Sequence, residues 1–257
     1  AHYYLGVNLF LTNKIREAAQ AFKIALNQQP KHTLSLQYLK KIYTTYIPDV
    51  HKIKEIETLA KNNHTEEIIV VSGLPRTGTS CIMQMLSKGG VACFSDNVRE
   101  PDDSNPLGYF EHALVKKLPD NSSWLYQAVN KCIKVISPLL FYLPNTFKYK
   151  IVLMERDFNE IALSQKRMIQ RNGKEIREEN YPMQLINAFK QNREKVDRRL
   201  KENANAAVLK LNYREVIENP EDTANKLTQF INRPLAKKEM IQAIRPDLYR
   251  EQLAMIN

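Results

Sequence analysis

The residues whose types and spacing can do chemistry lie in the run Ser72-Gly73-Leu74-Pro75-Arg76-Thr77-Gly78-Thr79-Ser80. Its two glycines keep a GxxxxG spacing. The strand-like run Glu67-Ile68-Ile69-Val70-Val71 leads directly in, and a segment carrying Ile82, Met85 and Leu86 at helical intervals follows directly after. Strand, glycine-bounded loop and helix in that order let successive backbone N–H groups converge on an anion at a helix N-terminus, where the helix dipole also favours negative charge. The chemistry implied is phosphate binding. A triphosphate loop carries Lys after its second glycine to reach the β- and γ-phosphates, whereas here Thr79 stands in that place and the cation is Arg76, inside the loop. Threonine is too short and uncharged to neutralise a terminal phosphate, so the loop suits a 5′-phosphate bearing something other than a polyphosphate.

Such a loop needs a sheet and a helix to hold it, and the sequence beyond His64 supplies both. Apolar runs at 68–71, 133–136, 151–154 and 206–211, broken only by Lys134 and Lys210, read as buried parallel strands. Helical stretches fall between and after them at 79–88, 159–170, 183–203 and 222–232. Strands alternating with helices imply an α/β domain, a three-layer P-loop-type parallel sheet spanning 65–257, with ligands at the carboxyl ends of the strands. Before it, residues 1–62 carry a different period. Leu5-Gly6, Leu9, Ala18, Phe22, Ala25 and Pro30 stand at the offsets of a tetratricopeptide repeat, and Leu36, Leu39 and Tyr43 continue into a degenerate second one that ends near Tyr46-Ile47-Pro48. This small all-α helical-repeat segment is expected to shield its neighbour, with a protein partner as the alternative use, because such repeats usually need three or more copies to stand alone.

Composition narrows the class further. The chain has 257 residues, 43% hydrophobic and 26% charged, with 7 Gly and 12 Pro, which places it among globular proteins rather than disordered, collagen-like or coiled-coil ones. No run approaches the roughly 18 apolar residues of a membrane span. A net charge of +10 suits anionic ligands, yet it is spread evenly: 9 basic against 4 acidic residues before His64, and 29 against 24 after it. No nucleic-acid-binding signature accompanies it, so nucleic acid is not an expected partner. Cys81, Cys93 and Cys132 are odd in number, widely spaced and without a CxxC pair, which argues against a disulfide framework or a thiolate zinc site and for a reducing, cytoplasmic setting. The N-terminal residues start inside the helical pattern, which leaves room for a removed targeting segment.

The run LPRTGTS resembles the 5′-phosphosulfate loop of sulfotransferases that use 3′-phosphoadenosine 5′-phosphosulfate (PAPS), in the Arg-containing form of Golgi-type and bacterial members. Three more segments carry the resemblance, which covers residues 66–233. Ile151-Val152-Leu153-Met154-Glu155-Arg156, with Ser164 eight residues on, is similar to the family's 3′-phosphate motif. Arginine presents a fork to a phosphate there, and serine can donate to the same group. Lys131-Cys132-Ile133-Lys134-Val135-Ile136 resembles the segment in which a lysine closing a strand assists departure of the bridging phosphate oxygen and a histidine follows two residues later. Lys134 stands for that lysine, but Ile136 stands where the histidine would be and cannot take a proton. Val208-Leu209-Lys210-Leu211-Asn212-Tyr213, with Asn219-Pro220 and Phe230, is similar to the late strand whose tyrosine flanks the adenine.

The resemblance therefore implies that Arg76, Thr77, Gly78, Thr79 and Ser80 hold the 5′-phosphosulfate, Arg156 and Ser164 the 3′-phosphate, and Tyr213 the adenine, with 3′,5′-adenosine bisphosphate (PAP) as product and no metal. Sulfuryl transfer to a hydroxyl or amine also needs a base. A carboxylate is expected, as in the Arg-loop branch. Asp96 is the nearest counterpart and Glu111 the alternative, with Arg99 near the acceptor and His112 as a helix-start residue. Two other readings stay open at this point, a P-loop nucleotide kinase and an idle PAP-binding protein whose repeats recruit a partner. The acceptor, whether polypeptide, glycan or small molecule, carries no motif.

Overall fold

A computed structural model of the chain describes residues 1–28, 32–62, 67–96, 98, 108–171, 173 and 181–249. Two compact units divide it, Ala1–Glu66 and Glu67–Asn257. The first is helical: α1 (His2–Leu11), α2 (Ile15–Gln28), α3 (Thr33–Lys41) and α4 (Val50–Asn62), with a π-helical turn at Ile42–Tyr46. Small residues let its first two helices close up. Ala18 and Ala25 are buried, and a Cβ on Gly6 would stand 2.7 Å from the Phe22 ring, so α1 and α2 approach as closely as that glycine permits. Phe22 in turn stacks on Tyr38, with ring centroids 4.7 Å apart. Pro30, the last position of the repeat pattern, lies outside the described residues.

The second unit is an α/β domain whose strands are all parallel. β1 (Glu67–Gly73), β2 (Cys132–Ile136), β3 (Lys148–Glu155) and β4 (Ala206–Asn212) form one sheet in the order β2-β1-β3-β4. Ile68, Ile69, Val70 and Val71 are all completely buried, as a strand covered on both faces requires, and each contributes about 1.5–3 kcal/mol by leaving water. On one face Ile69, Val71, Val152 and Leu211 pack with Ile82 and Leu86 of α5 (Thr79–Lys88), Leu227 of α9 (Pro220–Ile231) and Met240 of α10 (Lys237–Gln242). Leu153, on the other face, lines a cleft with Ile161 of α6 (Phe158–Arg171) and Val196 of α7 (Tyr181–Glu202). A short helix, α8 (Tyr213–Glu218), follows β4.

The topology fixes where a ligand can sit. From β1 the chain goes to β2 on one side, then crosses back to β3 on the other, so the connections diverge at the carboxyl end of β1. Register places Gly73 beside Ile136 and Met154 at that edge. This is the switch point where open α/β sheets bind ligands. Among the described residues no helix is long and apolar enough to cross a membrane.

Candidate active site

The 73–78 loop leaves β1 and turns on itself before entering α5. The Thr77 hydroxyl donates to Leu74 O at 2.7 Å, and the Thr77 N–H reaches the same carbonyl at 3.3 Å. Thr77 is almost fully buried, so its side chain is spent on holding the loop backbone. Arg76 is held at φ +74° and Gly78 at φ +88°, both left-handed. Any Cβ on Gly78 would collide with the Tyr213 ring, which lies flush against the loop. Helix α5 starts here, with Gly78 as its N-cap, so the amides of Thr79 and Ser80 belong to the first turn, whose N–H groups have no partner within the helix. The dipole adds to their attraction for an anion.

Three residues expected on two different phosphates meet at this loop. Arg76 Nε donates to Ser164 Oγ at 3.0 Å, and Arg156 Nη1 donates to the Arg76 carbonyl at 3.0 Å. Arg156, one residue beyond β3, is 9% exposed and Ser164, on α6, is 2% exposed. The guanidinium of Arg156 lies 5.0 Å from both the Tyr213 and Tyr249 ring centroids, a cation between two aromatic faces. Burying that charge requires an anion, and Glu160 provides it: Oε2 accepts from Arg156 Nε at 2.9 Å and from the Tyr249 hydroxyl at 2.8 Å, while Oε1 lies 3.3 Å from Arg214 Nη2. Sequence reasoning missed Glu160, Arg214 and Tyr249. The available signal was spacing, because Glu160 falls four residues after Arg156, which precedes α6, and four before Ser164 on that helix. Tyr213 is 8% exposed, and burial pushes its hydroxyl pKa up to about 12. Its ring thus packs in the core, against the loop and Arg156, rather than presenting an open face.

On the other side of α5, Lys134 points at Ser80. It sits opposite Val71 inside β2, with two more strand residues after it, rather than closing the strand. Its ammonium bonds Ser80 Oγ at 3.2 Å, the Tyr109 carbonyl at 2.9 Å and Glu111 Oε1 at 3.4 Å. The Lys134 side chain is 8% exposed and that of Glu111 34% exposed, so the carboxylate keeps contact with solvent while its partner does not. Ile136 ends β2 opposite Gly73 and is partly exposed.

Asp96 is held differently from Glu111. Its Oδ1 accepts from the Val98 N–H at 3.1 Å and its Oδ2 from the Ala113 N–H at 2.6 Å. Those amides, Ala113 first, hold its pKa below the usual carboxylate range. A carboxylate so occupied is a weak base, and it ties two loop segments together: the Asp96 N–H and the Ser95 hydroxyl both bond the Glu111 carbonyl, at 3.1 and 3.2 Å. His112 opens a 3₁₀ turn, its Nδ1 accepting from the Leu114 N–H at 3.2 Å, and its ring stacks on Phe94 at 4.2 Å. Arg99 lies outside the described residues, as do most of the acceptor-side positions between 97 and 107.

An open cleft of about 360 Å³ reaches from Gly73, Leu74 and Thr77 past Arg156 to Asn192 and Arg193 of α7. Among the described residues no group of three or more His, Cys, Asp or Glu side chains is arranged to hold a metal ion.

At the sheet's switch point a glycine-bounded loop thus carries Arg76, offers its carbonyl to Arg156 and leads into Ser80, which meets Lys134. The class can be named: residues 66–253 match the model of the sulfotransferase domain family, and the chain belongs to that family. Among solved structures it is similar to the sulfotransferase domain from the curacin biosynthetic pathway, at 16% identity over 71% of this chain and 79% of that one, with a TM-score of 0.42. No curated protein matches the chain.

Proposed function

We propose that this protein transfers a sulfuryl group from PAPS to a hydroxyl or amine acceptor, with Glu111 as base. The observation that carries the reading is the convergence of cations on both flanks of one loop, Arg76 and Arg156 with Ser164 on one side and Lys134 with Glu111 on the other. The donor set suits a nucleotide with two separate anionic groups: guanidinium forks for a monoester phosphate, helix-start amides and an ammonium for a second group. PAPS would supply an activated S–O bond, and transfer moves sulfur to the acceptor while the bridging electron pair goes to the phosphate oxygen.

Each residue then has a separate task. The amides of Thr79 and Ser80, with Arg76, hold the 5′ group, and Thr77 and Gly78 shape the loop that presents them. Arg156 and Ser164 receive the 3′-phosphate, with the Ser164 hydroxyl turning from Arg76 to the anion. Tyr213 sets the floor beneath Arg156 and the loop, on the adenine side. Lys134 neutralises charge on the departing oxygen, acting where charge develops. Glu111 accepts the acceptor's proton. It is preferred to Asp96 because its carboxylate is a third exposed and stands on Lys134, whereas both Asp96 oxygens already bond backbone amides.

Donor labelled in the sulfuryl group, incubated with the protein and a mixed acceptor extract, tests the proposal. Label should move to acceptor as PAP accumulates. Binding of PAP with no consumption of labelled donor on any acceptor would instead mark an idle nucleotide-binding protein. The helical unit's use, including recruitment of a protein partner, belongs to the same proposal and would be read by removing residues 1–62 and repeating the transfer.

A further inference from the structure

Outside the groups already assigned, two thiols stand together. Cys93 and Cys132 are separated by 39 residues, yet their sulfurs lie 3.0 Å apart. Backbone pairing holds them there: they form a parallel β-bridge, with the Cys132 N–H donating to Ala92 O and the Phe94 N–H to Cys132 O, each at 2.8 Å. Bridged residues in neighbouring strands lie about 5 Å apart at Cα, inside the range a disulfide spans, so a bond can close with little backbone movement. Their environments differ. Cys132 is fully buried in β2, whereas Cys93 is partly exposed and can be reached from solvent. The hydrogen bond from Cys132, and after it Ser87, draws the Cys93 thiol below its ordinary pKa, while the same bond and burial push Cys132 up. Cys81, the third thiol, is pushed up to about 12 by burial.

We propose that Cys93 and Cys132 form an oxidisable dithiol site, with Cys93 the attacking and Cys132 the resolving sulfur, whose reactant is a small-molecule disulfide. The Cys93 thiolate attacks one sulfur of the external disulfide, expelling a thiolate and leaving a mixed disulfide. Cys132 then attacks the Cys93 sulfur and expels the second thiolate, which takes up the Cys132 proton as it departs. Two protein thiols are oxidised to one cystine, and the external disulfide is reduced to two thiols.

The site bears on transfer because of what each cysteine is attached to. Cys132 lies two residues before Lys134 in β2, on the same face of the sheet. Cys93 leads into Ser95 and Asp96, which hold the Glu111 carbonyl. A closed bond therefore ties the anchor of Glu111 to the strand of Lys134. This consequence rests on the roles proposed for those two residues, whereas the bond itself does not.

The test uses the folded, full chain incubated with oxidised glutathione, blocked with N-ethylmaleimide and digested with trypsin without reductant. Peptide 89–99 should appear joined to peptide 132–134, two hydrogens lighter than their sum. Cys81→Ala should leave that species intact and Cys93→Ser should abolish it. Glutathione retained on Cys93 with Cys132 unlinked, a bond to Cys81, or cross-linking only between molecules would each overturn the site. Turnover that changes on oxidation and returns with dithiothreitol supports the coupling to Lys134 and Glu111. An intact cystine with unchanged turnover would overturn that coupling while leaving the dithiol site standing.

Discussion

Removing the Glu160 carboxylate should cost the α/β unit more stability than any other single truncation at the site. The carboxylate is about 3% exposed and takes Arg156 Nε at 2.9 Å, the Tyr249 hydroxyl at 2.8 Å and Arg214 Nη2 at 3.3 Å. In Glu160→Ala the Arg156 charge is left buried between two tyrosine rings without its anion. Breaking a buried pair in this way costs about 3–5 kcal/mol. For a unit of this size, where each kcal/mol moves the melting temperature by roughly 2–4 °C, the expected fall is about 6–20 °C. Glu160→Gln should lose less, about 1–3 kcal/mol, because the amide oxygen can still accept from Arg156 and Tyr249 while Arg214, a third exposed, turns to water. Calorimetry of the melting transition measures both. The double variant Glu160→Leu/Arg156→Met supplies the control, since an apolar pair of similar volume often replaces a buried ion pair at little cost. Its stability should recover most of the Glu160→Ala loss. A Glu160→Ala protein that melts with the parent, or a double variant that falls by the sum of its parts, would refute the argument that Glu160 exists to bury Arg156.

Other outcomes follow from the same geometry. Arg76→Ala and Ser164→Ala should each weaken PAP binding, the first by roughly 10- to 150-fold for the loss of a charge-assisted contact worth about 1.5–3 kcal/mol, as read by titration calorimetry. Glu111→Gln should lower turnover by roughly 10²–10⁴-fold, the usual worth of a general base, with far less loss in PAP affinity. Asp96→Asn should lose much less turnover. The amides that depress Asp96 give a sign for pH: its stabilisation of the 96–113 clip is present above the ordinary carboxylate pKa and lost as pH falls through the lowered one. A carboxyl NMR titration should therefore place its midpoint below the ordinary aspartate range, and a midpoint above that range would contradict the hydrogen-bonding scheme. Gly78→Ala should abolish PAP binding, since the new methyl meets Tyr213 at a left-handed φ, and unaltered binding would show that the loop tolerates a different path.

What could be read beforehand was whatever is periodic or contiguous. The four apolar runs became the four strands and the 79–88 stretch became α5 with the same ends, because apolar strand residues and a glycine N-cap leave marks in consecutive positions, although the edge strand β4 keeps only Leu211 buried. Strand β3 starts three residues before its apolar run, at Lys148-Tyr149-Lys150, where backbone pairing with β1 continues although the side chains alternate. Arg76, Arg156, Ser164 and Lys134 could be named since each sits in a recognisable segment. The contacts of Arg76 with Ser164 and of Lys134 with Ser80, across 88 and 54 positions, could not be. Glu160 was hidden because a charged residue on an amphipathic helix reads as solvated until tertiary packing turns it inward. Nor does spacing alone show Cys93 meeting Cys132, because the residues that create the bridge, Ala92 and Phe94, carry no signal of their own. Asp96 and Glu111 looked alike in sequence, and what separates them is tertiary: the amides of Val98 and Ala113 on one, Lys134 on the other.

On the proposed reading, one crevice grips two separated phosphates of an adenine nucleotide. Calorimetric titration of the magnesium-free protein with PAP, 5′-AMP and 3′-AMP tests it most directly. The bisphosphate should bind at least roughly tenfold tighter than either monophosphate, each missing phosphate removing about 1.5–3 kcal/mol of charge-assisted bonding. Equal affinity for PAP and 5′-AMP, or heat only when magnesium and a triphosphate are supplied, would contradict it.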